Sequence, residues 1–291
     1  MSRLSSKEFV KFPAKVLLTG EFTVLTSGTA LAVPLSSYFS KWVLSNAPDP
    51  RLLNLIPHLS KISDFDINRY IRDINNGWHL ESNIPIGYGL GSSGSVSAAL
   101  LFKYGINNDI KDLYQLKIQL AEIEKFFHGT SSGFDPLISF THAAYLVQHN
   151  NLTKVEFGNT HFQFIKNLFL FDSLQARDNI IPIDWFYQSS KEISFQKTCT
   201  ELNALNEIFI SSILSLNRAS FTESMKQISF LQLENFSPLI PEKLIPLWEQ
   251  GLQSDEYFLK LCGKGGGGFY LIYVNEQKNI LNKEFNVVPI C

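Results

Sequence analysis

The 291 residues hold 27 acidic and 25 basic side chains, a net charge of −2, without the basic excess of a nucleic-acid binder. A hydrophobic fraction of 45% against a charged fraction of 18% excludes intrinsic disorder, and the length fits two domains or one large one. Cys199, Cys262 and Cys291 are far apart and form no CxxC pair, so a reducing, cytoplasmic setting is expected.

In chain order, the opening MSRLSSKEFVKF lacks the apolar core and cleavage site of a signal peptide, and no later run reaches the ~18 apolar residues of a membrane span. No membrane partner is therefore expected. Val16 to Leu18, ended by Gly20, Ala30 to Val33, ended by Pro34, and Tyr38 to Leu44 read as strands. Residues 46–60 hold three prolines and read as a loop. Residues 64–76 fit a short helix closed by the Asn76-Gly77 turn, and His79 to Ser82 a strand edge.

Gly89 to Ser95 is a glycine/serine loop, and Ser95 to Tyr104, small and apolar without proline, fits a buried helix. Asp112 can cap the next helix, Leu113 to Phe127, where Leu113, Leu116, Leu120, Ile123 and Phe127 recur at helical spacing. A polar loop, Gly129 to Gly133, leads to Asp135-Pro136. Ala143 to Val147 and Leu168 to Phe171 fit strands, and the polar, interrupted stretch 150–166 between them marks a domain boundary. Residues 191–234 carry two helical patterns, and a third glycine cluster, Gly263 to Gly268, precedes a strand at Phe269 to Val274. Helices and strands mix without βα alternation, which predicts an α+β fold.

The loop Pro85 to Ser95 can cradle a polyphosphate. Its glycines let the backbone approach closely, and the following helix start presents free N–H groups. A plain turn with a serine cap is the ordinary alternative. The same loop fits GxGxxG, a dinucleotide fingerprint, with Asp109 twenty residues after Gly89, but no strong strand precedes it. Gly129-Thr-Ser131-Ser-Gly133 fits the GxSxG nucleophile elbow, which needs a strand where this chain predicts a helix. The third cluster is no Walker loop, yet four consecutive glycines cost much entropy to order, so something must lie very close to that backbone. Glu124 points about 70° from the centre of its helix's apolar face, where a solvated carboxylate and a Mg²⁺ ligand are both open readings. Lys15 and Asp135 have ordinary readings too, as a strand-edge charge and a helix or turn residue.

Three segments then meet a known family. Pro13 to Leu25, Pro85 to Ser95 and Leu261 to Phe269 resemble, in order, the three motifs of the GHMP small-molecule kinases. Within that family, Glu124-Lys-Phe-Phe-His128-Gly-Thr-Ser-Ser-Gly133-Phe-Asp135 is most similar to the corresponding mevalonate kinase segment. The resemblance implies a two-domain fold: an N-terminal ATP-binding domain over 1–165, like the second domain of ribosomal protein S5, and a ferredoxin-like C-terminal domain over 166–291. ATP and substrate would occupy the cleft between the domains. It implies ATP on Gly89, Leu90, Gly91, Ser92, Ser93, Gly94 and Ser95, with Mg²⁺ on Ser93 and Glu124. Asp135 and Lys15 would be catalytic, and Glu21, His128, Gly133, Gly265 and Gly266 would join them around the substrate.

The implied reaction is Mg²⁺- and ATP-dependent phosphorylation of a small alcohol, mevalonate first, with phosphomevalonate or a sugar next and a non-catalytic nucleotide-binding regulator as a second class. The expected partner is the small-molecule substrate alone, on a monomer or homodimer. Three positions depart from the pattern: Phe22 stands where mevalonate kinases commonly have His, Lys264 where Ala is usual, and Gly94 where Ala follows the two serines. A phosphorylated acceptor needs extra cations, for which Arg177 and Lys264 are candidates.

Overall fold

The computed structural model describes residues 10–45, 49–106, 112–149, 151–177, 181–275 and 286–290. Asp109 and Cys291 lie outside the described residues. The elements in the first half are β1 (Lys11–Thr19), β2 (Ala30–Leu44), α1 (Pro50–Leu53), α2 (Ile56–Leu59), α3 (Ile67–Asn75), β3 (Trp78–Ser82), α4 (Ser92–Tyr104), α5 (Leu113–His128) and α6 (Phe134–Thr141). There follow β4 (Ala144–Gln148), β5 (Asn151–Val155), α7 (Asn159–Phe164), β6 (Leu168–Asp172), α8 (Ile181–Ser189), α9 (Ile193–Leu214), α10 (Arg218–Asn235), α11 (Ile245–Ser254), β7 (Tyr257–Leu261), β8 (Phe269–Val274) and β9 (Val287–Pro289). The fold is α+β, as the mixed pattern predicts.

The contacts divide the chain into two compact units that interleave along the sequence. One comprises residues 1–15, 34–85 and 90–143, the other 16–33, 86–89 and 144–291. β1, β2, β4 and β5 pair in that order, with β3 also on β2. Pro34 does not end a strand, as its sequence predicts, but lies inside β2. It falls between Ala30–Ala32, which pair with β4, and Ser40–Leu44, which pair with β3, outside both of those ladders. β5 lies at one edge of this sheet, which explains why residues 151–155 read as polar.

In the first unit, α4 packs against α5 and α6. Its buried residues, from Gly94 to Tyr104, surround the helix axis, as expected of a helix covered on several sides. Asp112 caps α5 by accepting from the N–H groups of Tyr114 and Gln115. The predicted loop 46–60 instead holds α1 and α2. Each carries a proline in its first turn, where the missing N–H has no helical partner to lose, and Asp49 caps the first.

The second unit carries an antiparallel sheet in the order β7-β8-β6-β9, and α10 and α11 pack against β7. Every residue of β7 and β8 is buried.

Candidate active site

In the first unit, Lys15 and Asp135 form an ion pair, Nζ to Oδ1 at 3.1 Å. Lys15 is held in β1, with its backbone N–H donated to the Leu90 carbonyl at 2.9 Å. Asp135 stands in the first turn of α6, behind the N-cap Gly133 at φ 71°. The glycine loop passes directly over the pair: a Cβ on Gly91 would lie 3.1 Å from Lys15 Cγ and 3.2 Å from Asp135 Oδ2.

Gly94 is equally confined. A Cβ there would lie 2.9 Å from Asp135 C and Pro136 N, closer than backbone tolerates. The departure from the usual Ala thus has a local cause: α4 and the first turn of α6 touch at this point. Gly94→Ala gains about 1 kcal/mol of helix propensity but must displace Asp135's backbone, and overpacking of this kind costs about 1–3 kcal/mol. The variant should therefore show a lower urea midpoint at unchanged m-value, together with reduced turnover.

Glu124 lies one helix away on α5 and is 6% exposed. Its Oε1 accepts from Ser93 Oγ at 3.0 Å and its Oε2 from Ser131 Oγ. Burial pushes its carboxyl above the usual carboxylate range, opposed by the Ser131 hydroxyl. His128 Nε2 contacts Ser93 Oγ at 2.9 Å. A buried carboxylate with a hydroxyl on each oxygen suits a hard cation. Among the described residues no three His, Cys, Asp or Glu side chains gather into a metal cluster. One carboxylate beside two hydroxyls fits Mg²⁺, which commonly takes one or two carboxylates and completes its shell with water and phosphate oxygens.

α4 begins at Ser92, three residues earlier than its sequence predicts, and its N-cap Gly91, at φ 71°, has no side chain to close the first turn. The N–H groups of Ser92, Ser93 and Gly94 thus form the helix start that can meet an anion. Ser95 has another role. It is fully buried, and its hydroxyl is within hydrogen-bond distance of the Phe12 carbonyl, at 2.7 Å, and Ser40 Oγ, at 2.8 Å. The side chain of Leu90 is likewise core, at 1% exposure.

The remaining implied site residues lie in the second unit. Glu21 is buried against Lys260, Oε1 to Nζ at 2.6 Å, and the same ammonium donates to the Leu261 carbonyl at 2.7 Å. Gly266 N–H donates to the Leu239 carbonyl at 2.8 Å, and a Cβ on Gly265 would lie 2.7 Å from that oxygen. The third glycine cluster has a further close neighbour that sequence reading treats only as a spare cation, Arg177. Its Nε donates to the Gly267 carbonyl at 3.2 Å and its Nη2 to the Cys262 carbonyl. Side chains on Gly89, Gly263 or Gly268 would meet its guanidinium.

Both rival motif readings fail on context. Ser131 follows helix α5 rather than a strand, and its hydroxyl is given to Glu124, so the nucleophile elbow is absent. The GxGxxG loop begins seven residues after β3 ends at Ser82, instead of leaving a strand directly.

Comparison with known proteins bears on the fold. Residues 66–143 match the family described as GHMP kinases N terminal domain. No curated protein sequence matches the chain. Among solved structures, the Methanococcus jannaschii mevalonate kinase is 21% identical with a TM-score of 0.66, over 96% of this chain and 95% of that one. A Streptococcus pneumoniae phosphomevalonate kinase in complex with phosphomevalonate and AMPPNP is 17% identical with a TM-score of 0.60, over 91% of each chain. A Lactococcus lactis galactokinase complexed with galactose is 13% identical with a TM-score of 0.59, over 91% of this chain and 84% of that one.

Proposed function

We propose, from a chain that has the GHMP kinase fold and matches that family's N-terminal domain over residues 66–143, that it transfers the γ-phosphoryl group of ATP to the hydroxyl of a small alcohol. The observation that carries this reading is the Lys15–Asp135 pair lying against Gly91 and Gly94, at the uncapped start of α4, with Glu124 and Ser93 joined beside it. A carboxylate, an ammonium, a ring of amides and a cation site are the parts phosphoryl transfer uses, because that reaction is mostly positioning and charge stabilisation.

In this reading the amides of Ser92 to Gly94 hold nucleotide phosphates. Glu124 and Ser93 hold Mg²⁺, which when bound neutralises phosphate oxygens. Asp135 orients the acceptor hydroxyl and takes its proton as the oxygen bonds to the γ-phosphorus and ADP leaves. Lys15 holds the Asp135 carboxylate in place through their ion pair. His128 touches Ser93, and Gly133 starts the helix that carries Asp135, so both act on the site through their neighbours.

Mevalonate is the acceptor we propose first, within a cytoplasmic monomer or homodimer that has no nucleic-acid or membrane partner. Among the described residues no helix is long and apolar enough to cross a membrane. Arg177, one of the two cations a phosphorylated acceptor could use, gives two of its donors to loop carbonyls. The test is ADP release with Mg·ATP against mevalonate, phosphomevalonate, galactose and homoserine, each beside a blank without acceptor. Turnover on mevalonate alone is expected. Turnover on another acceptor would replace the substrate and keep the chemistry. Binding of ATP without turnover on any acceptor would overturn the kinase reading in favour of a nucleotide-binding regulator.

A further inference from the structure

Ser131 has a hydrogen-bonding position that the reaction scheme does not use. Its Oγ donates to Glu124 Oε2 and accepts the N–H of Gly133 at 2.9 Å. The lone-pair side of the hydroxyl is thus engaged by the backbone that starts α6, and its hydrogen is aimed at the carboxylate. The loop that carries it is fixed at both ends. Gly129 N–H donates to the Lys125 carbonyl at 2.8 Å, and Gly133 lies so tightly on the Lys117 backbone that no side chain fits there. Ser93, on the other carboxylate oxygen, is differently placed, because its hydroxyl faces both Glu124 Oε1 and His128 Nε2.

The two oxygens of Glu124 are therefore unequal. Oε2 is held by a hydroxyl that the fold itself positions. Oε1 is held by a hydroxyl that has a second partner and can reorient. We infer that Ser131 restricts Glu124 to one available oxygen and so biases the site toward Mg²⁺ and against Ca²⁺. This rests on the reading of Glu124 as a cation ligand. Ca²⁺ takes six to eight oxygens in flexible geometry and readily accepts both oxygens of one carboxylate, whereas the smaller Mg²⁺ demands a near-octahedral shell. A carboxylate with one oxygen withheld loses more as a Ca²⁺ ligand than as a Mg²⁺ ligand. Ser131 is thus a positioning residue that sets cation selectivity without touching the cation.

The test measures binding without turnover: calorimetric titration of the full chain with AMPPNP in Mg²⁺ or in Ca²⁺, giving the ratio of the two affinities. Ser131→Ala should shift that ratio toward Ca²⁺ by about tenfold or more, the size expected for losing one hydrogen bond to a charged group. Ser131→Thr keeps the hydroxyl and should keep the wild-type ratio. Should Ser131→Ala fail to fold, the near-isosteric Ser131→Cys, with its weak S–H donor, should show a shift in the same direction. A wild-type ratio in a folded Ser131→Ala or Ser131→Cys chain overturns the inference. Glu124→Gln separates this failure from that of the underlying reading: it should abolish the cation dependence of AMPPNP binding. If cation dependence survives in Glu124→Gln, Glu124 is not the ligand, and the inference falls with that assignment.

Discussion

Asp135→Asn is expected to lose turnover by about two to four orders of magnitude, while nucleotide binding stays near wild type. The amide keeps the shape of the side chain and its place in the first turn of α6. It removes the charge that pairs with Lys15 at 3.1 Å and the basic oxygen that would receive the acceptor's proton. Nucleotide phosphates would rest on the amides of Ser92 to Gly94, which this substitution leaves in place. The loss should therefore fall on kcat, read by ADP release at saturating acceptor, with the AMPPNP affinity as the internal control. Lys15→Met should also impair turnover, because the carboxylate loses the cation that fixes it. Wild-type kcat in Asp135→Asn would remove Asp135 from the chemistry. Parallel loss of nucleotide binding would show that the substitution disturbs the α4–α6 contact instead.

Part of this site is legible in sequence because it depends on local pattern. Asp112, the 3–4 apolar spacing of α5 and the position of Glu124 beside that face together predict a buried-edge carboxylate, and Glu124 is buried. Phe127, counted on the apolar face, is instead 37% exposed, because α5 ends one residue later and the chain turns away at Gly129. The third glycine cluster announces a close approach through its entropy cost, but not what approaches. Arg177, 86 residues before Gly263 in the numbering, becomes its neighbour only through the pairing of β6 with β8. Ser131 is hidden for a related reason. The spacing GxSxG describes the loop by its own residues, whereas its function depends on the loop folding back onto α5. Pro34 and the prolines of α1 and α2 mislead in the opposite direction. A proline breaks structure only where its N–H is needed, and that depends on the partner strand or the helix position.

Lys260→Met should destabilise the chain far more than Gly94→Ala, by about 3–5 kcal/mol, the usual consequence of leaving one member of a buried ion pair alone. The side chains of Lys260 and Glu21 are 0% and 1% exposed, so water cannot solvate the abandoned carboxylate. The backbone beside Glu21 adds to the cost. Phe22 lies at φ 63° and ψ −45° in a tight γ-turn closed by Thr23 N–H on the Glu21 carbonyl at 2.7 Å. Such a conformation for a bulky residue carries about 1–3 kcal/mol of strain. It is held by the ring of Phe22, packed in tilted contact with Phe186 and Phe236 at centroid distances of 5.0 and 6.0 Å, and by the ion pair on the preceding residue. Losing the ammonium frees one of these two anchors. The double variant Glu21→Leu with Lys260→Met replaces the whole buried pair by apolar side chains and should recover most of the loss, since such a replacement is often close to neutral. Urea unfolding of wild type and the two variants at constant m-value measures both effects. The same series decides what Glu21 does. If it serves only the fold, the double variant restores stability and leaves the acceptor KM unchanged. If it meets the acceptor, the double variant restores stability while KM stays raised, and the buried pair then anchors a residue that the acceptor uses.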